Sequence, residues 1–198
     1  MKTYLFKYPE TITKQQLEEE LLPLLPAWRR EQALRFKFLL GQVLCTKAFL
    51  LLQDGLRNDF GISGELTFDY LEHQKPVLRE CPNIHFNLSH CKNGVLCVID
   101  DKNPVGCDIE VVDRKVGEAL MLRCCSEAEL QQIKRATDPV AEFIKLWTIK
   151  EAVLKFTGRG LVDDLQGLLM PELLSTVMLN TVVEKDFIYT TCQKKDVK

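Results

Sequence analysis

A helix with both ends marked places the tightest limit on how this chain can fold. Asp138 followed by Pro139 fits an N-cap and a first helical residue, and Gly158 fits a stop, so the stretch between them is expected to be a single helix. A helix of that length buries a stripe against another layer. At about 100° per residue and with Trp147 at the stripe centre, Val140, Phe143, Ile144 and Leu154 fall within about 60° of it. Glu151 falls inside the same stripe, at about 40°, with Lys150 and Lys155 at its two edges. Glutamate is almost never fully buried without a partner, so this position asks for one.

The rest of the chain divides into strands and helices around it. Residues 2–8 alternate as a strand, and Thr13 caps a helix from Lys14 to Leu22. Pro26 is expected to open one long helix through WRREQALRFKFLLGQVLCTKAFLLLQ, ending at Gly55. ELTFDYL is strand-like, and IHFNLSH and GVLCVID form a hairpin joined at CKNG. The turn DDKNP precedes another β-rich run, VGCDIEVV. Ser126 and Glu129 fit a capping box, and the tail VMLNTVVEKDFIYTTCQ is a second hairpin. Strand, helices, strands therefore occur twice. This order predicts an α+β fold of two similar halves, 1–102 and 103–198, each a small antiparallel sheet packed with helices.

Composition narrows the function. The chain has 198 residues and a net charge of −2, which argues against a general nucleic-acid binder but leaves room for a local basic site. Its eight cysteines include no C-x-x-C pair, which argues against a zinc ribbon. The N-terminal MKTYLFKYPE lacks a long apolar region and a cleavage signal, so reduced thiols in a cytoplasmic protein are expected. The most apolar run, FKFLLGQVLCTKAFLLL, is broken by Gln42 and Lys47, which favours a buried helix over a membrane span.

GCDIE supplies a second buried-charge problem. On a strand, Asp108 and Glu110 point to the same face, with their backbone positions about 7 Å apart, where they repel. A magnesium ion, held by oxygen ligands and bridging phosphate oxygens, resolves the repulsion, and Glu151 is available as a third ligand. The plainer alternatives are two solvated acids on an open strand face and a Glu151–Lys155 pair contributing about 0.2–0.5 kcal/mol to the helix. In FNLSHC a strand is expected to end at Leu88, leaving Ser89 and His90 in a turn. There they could donate to a phosphate oxygen or simply close the turn. Lys75-Pro76 is a rigid extended dipeptide carrying a cation. His73 and His85 show no partner pattern. Among Arg29, Arg30, Arg35 and Lys37 at the basic start of the long helix, Lys37 stands out because apolar residues surround it.

HQKPVL, FNLSH, VGCDIE and WTIKEAVLKFTGRGL, in that order, resemble the 4′-phosphopantetheinyl transferase family of the Sfp type. The likeness runs from about Lys75 to Leu161, with a weaker echo in RREQALRFKFLLGQVL. It implies two pseudo-symmetric α+β halves with coenzyme A and Mg2+ in the cleft between them. It also implies transfer of the 4′-phosphopantetheine arm to a serine of an apo acyl or peptidyl carrier protein, releasing 3′,5′-ADP; the two-half architecture suggests that a monomer suffices, and charge and hydropathy suggest no nucleic-acid or membrane partner. By the same resemblance Asp108, Glu110 and Glu151 are the metal ligands and Glu151 is also the base. Lys155 steadies the diphosphate. Lys37, Lys75, Ser89 and His90, together with Asp108 and Lys155, contact coenzyme A, and Pro76 lies near the adenine. Gln74 departs from the family's usual glycine before Lys-Pro, and the segment between Arg35 and Leu39 is shorter than in longer members. Nothing after Met170 matches a family motif. The basic start of the long helix and MLRCC near Met121 are candidate carrier-docking surfaces. Two other readings use the same carboxylates or the same fold: a metal-dependent nuclease or phosphodiesterase, and a carrier-binding module without activity.

Overall fold

A computed structural model describes residues 1–8, 12–158, 160 and 164–195. Two three-stranded antiparallel sheets form its frame. The first has β1 (Lys2–Lys7), β5 (Gly94–Asp100) and β4 (His85–Cys91) in the order β1-β5-β4. The second has β6 (Val105–Val111), β8 (Phe187–Lys194) and β7 (Val177–Val183) in the order β6-β8-β7. In each sheet the strand that comes last in sequence lies between the other two. A short hairpin of β2 (Phe68–Tyr70) and β3 (Pro76–Leu78) stands apart. The fold is α+β, as the alternation of strand and helix signals predicts.

The helices follow their sequence signals with three informative differences. Thr13 and Gln16 form a capping box at α1 (Lys14–Gln16), and the helical run continues irregularly to Leu24, beyond the expected Leu22. The long basic-apolar helix is two helices, α2 (Ala27–Leu34) and α3 (Leu39–Phe60), separated by residues 35–38. Its end is Gly61, at φ 67°, and not Gly55. Gly55 instead lies mid-helix, where a Cβ would come within 2.8 Å of Tyr4 and Ile99; the missing side chain lets α3 settle onto β1 and β5. By length and hydropathy α3 could cross a bilayer, yet 56% of its most apolar 18-residue window is buried inside this protein. Leu52, Leu56 and Phe49 join Phe86, Cys97 and Ile99 in the core beneath it.

The second sheet is covered by α6 (Pro139–Thr157), capped by Asp138, whose Oδ1 accepts from the N–H groups of Val140 and Ala141, and closed by Gly158 at φ 69°. Before it come α4 (Glu118–Cys124) and α5 (Glu127–Arg135), the latter opened by the Ser126–Glu129 capping box. After it α7 (Pro171–Thr176), which carried no recognised signal, leads into β7. Helix α6 is buried on two sides, so a single apolar stripe describes it poorly. Lys150 and Ala152 are buried as fully as Phe143, whereas Trp147 and Glu151 are half-buried.

The sheets meet where β4 runs beside β6. Their shared core contains Leu96 and Val98 from one side and Val105, Cys107 and Ile109 from the other. Two side chains stitch this seam: Asn87 Oδ1 accepts from the Cys107 N–H at 2.9 Å, and Ser89 Oγ accepts from the Ile109 N–H at 3.4 Å. Strand β4 runs on through Cys91, so Ser89 and His90 are strand residues and not, as expected, turn residues. That extra length carries Ser89 to the seam.

Candidate active site

The site grows from the contact between β6 and α6. A Cβ on Gly106 would lie 2.0 Å from the Ala152 carbonyl oxygen and 2.4 Å from the Phe156 nitrogen. Only glycine at this position lets helix backbone rest on strand backbone. The approach brings Asp108, two residues along β6, against Lys155 of α6. Lys155 Nζ lies 2.7 Å from Asp108 Oδ1 and 3.1 Å from Ser89 Oγ, and the Ser89 hydroxyl donates to the same Asp108 oxygen at 2.8 Å. Asp108 Oδ2 is buried and has no hydrogen-bond partner.

The surrounding charges respond to one another. Burial, the largest single influence, lowers the proton affinity of the Lys155 ammonium, but the combined pull of Asp108, Cys107 and Glu151 outweighs it and holds Lys155 above the ordinary lysine range. Burial, followed by repulsion from Asp108, raises Glu151 above the usual carboxylate range. Burial also raises Glu110, against the opposing pull of Arg114 and with a further push from Asp108. Arg114 donates to Glu110 Oε1 at 2.7 Å and lies 5.5 Å from the Trp147 ring, which gives that tryptophan a task outside the core.

Does this set suit a divalent cation? Among the described residues, no three His, Cys, Asp or Glu side chains converge as a ready coordination shell. Glu110 turns toward Arg114, and Asp108 toward Lys155. The chemistry of the set nevertheless fits: three mutually repelling carboxylates offer hard oxygen ligands, and one buried oxygen lacks any partner.

These groups border a cavity of about 580 Å³ lined by Lys75, Pro76, Asn87, Glu151, Lys155 and Gly158, among others. Lys75 reaches across to the end of α6, where its Nζ donates to the Lys155 carbonyl at 2.6 Å and to that of Phe156 at 3.4 Å. Burial lowers its proton affinity. His73 and Gln74, on the loop before Lys75, both adopt left-handed backbone, at φ 58° and 61°. Gln74 thus takes up a backbone conformation that favours glycine. A smaller cavity of about 180 Å³ shares Gln74 and Pro76 with the first and is otherwise mostly aromatic, including Trp28, Phe49 and Phe68.

The structure thus gathers Lys75, Pro76, Glu151 and Lys155 on one cavity wall, with Ser89 and Asp108 directly behind Lys155. Lys37 is elsewhere: it lies exposed between α2 and α3, 5.6 Å from the Phe38 ring, and does not line the cavity. Arg29, from the same basic run, is the cation turned inward. It borders the smaller cavity, donates to Cys45 O and Gln32 Oε1, and has a buried Nε without a partner. Nearby in sequence, Thr46 Oγ1 is also buried and unpartnered. Local desolvation, with the positive charges of Lys155 and Arg29, lowers the proton affinity of His90. Lys150 is a structural member of the WTIKE segment. Its buried ammonium donates to Cys124 O, Glu129 Oε2 and Leu165 O at 2.6–2.8 Å, fastening α4 and α5 to α6. MLRCC divides: Cys124 and Cys125 are core, whereas Leu122 and Arg123 are exposed.

Known proteins similar to this chain fall in one family. The profile of the 4′-phosphopantetheinyl transferase superfamily matches residues 104–190, the span from β6 through most of β8. The chain is 34% identical over 146 residues to 4′-phosphopantetheinyl transferase psf-1 of Bacillus pumilus, covering 72% of this chain and 62% of that one. It is 28% identical to a 4′-phosphopantetheinyl transferase of Bacillus subtilis over 73% of this chain and 65% of that one. Against Sfp of Bacillus subtilis strain 168 it is 28% identical over 163 residues, 78% of this chain and 69% of that one. The matched region therefore spans less than two thirds of the first two relatives. The order of its motifs, the packing of Gly106 on α6 and the acidic cluster beside Lys155 accord with this likeness: residues 104–190 match the 4′-phosphopantetheinyl transferase superfamily, and most of the chain is similar to its members.

Proposed function

We propose that this protein transfers the 4′-phosphopantetheine group of coenzyme A to a serine hydroxyl of an apo acyl or peptidyl carrier protein, releasing 3′,5′-ADP. One observation carries the proposal: Glu151 and Lys155, one helical turn apart, line the same cavity, with Lys155 pinned to an Asp108 whose second oxygen is buried and unpaired. Serine oxygen bonds to the β-phosphorus, the bond from that phosphorus to the bridging oxygen breaks, and the serine proton leaves to a base. Glu151 is the cavity-lining carboxylate available to take it. Lys155 places positive charge where the departing diphosphate gains negative charge.

Asp108, Glu110 and Glu151 would hold Mg2+. When bound, it supplies charge neutralisation for the diphosphate. The Arg29 guanidinium, whose Nε is buried without a partner, adds positive charge beside the smaller cavity and supports placing a further phosphate of the nucleotide there. The eight unpaired cysteines support a reducing, cytoplasmic setting. The decisive test incubates the protein with coenzyme A, Mg2+ and an apo carrier protein and weighs the carrier. A gain of one phosphopantetheine mass is expected. No gain across acyl and peptidyl carriers, with cleavage of DNA or RNA instead, would replace this reading with a nuclease.

A further inference from the structure

Asn87 has no role in the chemistry described so far, yet it lines the larger cavity beside Glu151 and Lys155. Its position is unusually well fixed. The Cys107 N–H donates to its side-chain oxygen at 2.9 Å, and the Cys107 thiol lies 3.4 Å from its main-chain oxygen. An amide whose oxygen is held in this way has a determined orientation, because the reversed orientation would set an NH2 group against an N–H. The nitrogen end is therefore the free end. Among the described residues Nδ2 has no hydrogen-bond partner, and it is not among the fully buried polar atoms that lack one, so the nitrogen keeps some exposure.

The neighbouring cavity cations are partly committed elsewhere. Lys75 Nζ donates to two α6 carbonyls, and Lys155 Nζ to Asp108 and Ser89. Asn87 thus offers two unengaged N–H groups next to the cavity's base and its lysine. The bond to Cys107 holds them rigidly, so little orientational freedom is lost when a ligand arrives.

We propose that Asn87 is a substrate-binding residue whose Nδ2 donates to a diphosphate oxygen of coenzyme A. This rests on the transferase reading and extends it. Asn87 thereby has two duties: its oxygen stitches β4 to β6, and its nitrogen holds the substrate in register with Glu151 and Lys155.

Asn87→Asp separates the two. Aspartate keeps an oxygen for the Cys107 N–H, and hence the seam, but replaces the donor with an oxygen that repels phosphate. Wild type is first titrated with coenzyme A and assayed for transfer. If it neither binds nor transfers, the transferase reading fails and this inference falls with it. If wild type binds, Asn87→Asp is expected to melt within a few degrees of it and to raise both the Kd and the KM for coenzyme A by about tenfold or more, with kcat changed much less. The same loss is expected with 3′-dephospho-coenzyme A, which retains the diphosphate. Unchanged affinity for coenzyme A, or a loss that vanishes with the dephospho compound, overturns the proposal while leaving the transferase reading intact. Should Asn87→Asp not fold, Asn87→Ala, which removes both duties, is titrated below its melting temperature. Weakened binding of coenzyme A with unchanged binding of pantetheine, which lacks the diphosphate, supports the proposal, and wild-type affinity for coenzyme A or an equal loss for both ligands overturns it.

Discussion

Lys155 meets Asp108 through one carboxylate oxygen, while the other is buried without a partner. The pair is therefore well made on one side and incomplete on the other. Removing the lysine leaves a buried charge, and Lys155→Ala is expected to cost on the order of 3 kcal/mol in urea unfolding. Adding Asp108→Asn should recover part of that loss, and a double-mutant cycle reads the coupling. Glu151 presents the opposite case. Burial and the nearby Asp108 raise its proton affinity, so the native state at neutral pH carries an ill-placed charge. Glu151→Gln is expected to lower transfer by about 10²–10⁴-fold. In chelator at pH 7.5 it should nevertheless raise the melting temperature. A carboxylate whose native affinity for protons exceeds its unfolded affinity regains stability as pH falls, so the variant's advantage should shrink toward acid pH. Melts from pH 7.5 downward check the sign; a gain that grows on acidification would contradict it. Mg2+ should stabilise wild type more than the variant.

At the level of elements, Gly106 sets the spacing between β6 and α6. Gly106→Ala puts a methyl group into the helix backbone, which has no flexible end to move aside. We expect a loss of at least 1–3 kcal/mol, roughly, in urea unfolding, together with loss of transfer, because Asp108 and Lys155 separate. What the sequence disclosed follows from how local each signal is. The caps at Thr13, Ser126, Asp138 and Gly158 were legible because a cap is a few neighbouring residues satisfying backbone groups. The break at residues 35–38 was not, since the apolar run continues past it. Gly55 resembled a helix end because a stop and a close contact call for the same residue; only the partner strand distinguishes them. Lys150 shows the same limit. Its spacing from Trp147 put it at the edge of a stripe, but its acceptors come from Cys124, Glu129 and Leu165, which the fold brings together. Within the candidate site, motif and spacing singled out Asp108, Glu151 and Lys155, which the fold brings close together. The inward turn of Arg29, rather than Lys37, depended on how α2 packs on Phe49.

For the molecule as a whole, the core between the sheets mixes residues from both sides of the 102/103 boundary, including Leu96, Val98, Val105 and Ile109. Neither half can complete that core alone. Calorimetry is therefore expected to show one unfolding transition with matching calorimetric and van't Hoff enthalpies, and fragments 1–102 and 103–198 expressed separately should each be unfolded. Two resolved transitions would show that the halves fold independently. The side-chain seam also bears on how such a protein can change. A backbone ladder tolerates most substitutions, since every residue carries the same amide; here particular side chains, Asn87 and Ser89 among them, help hold the junction. The FNLSH stretch, bound to both assembly and chemistry, is left almost no room to drift.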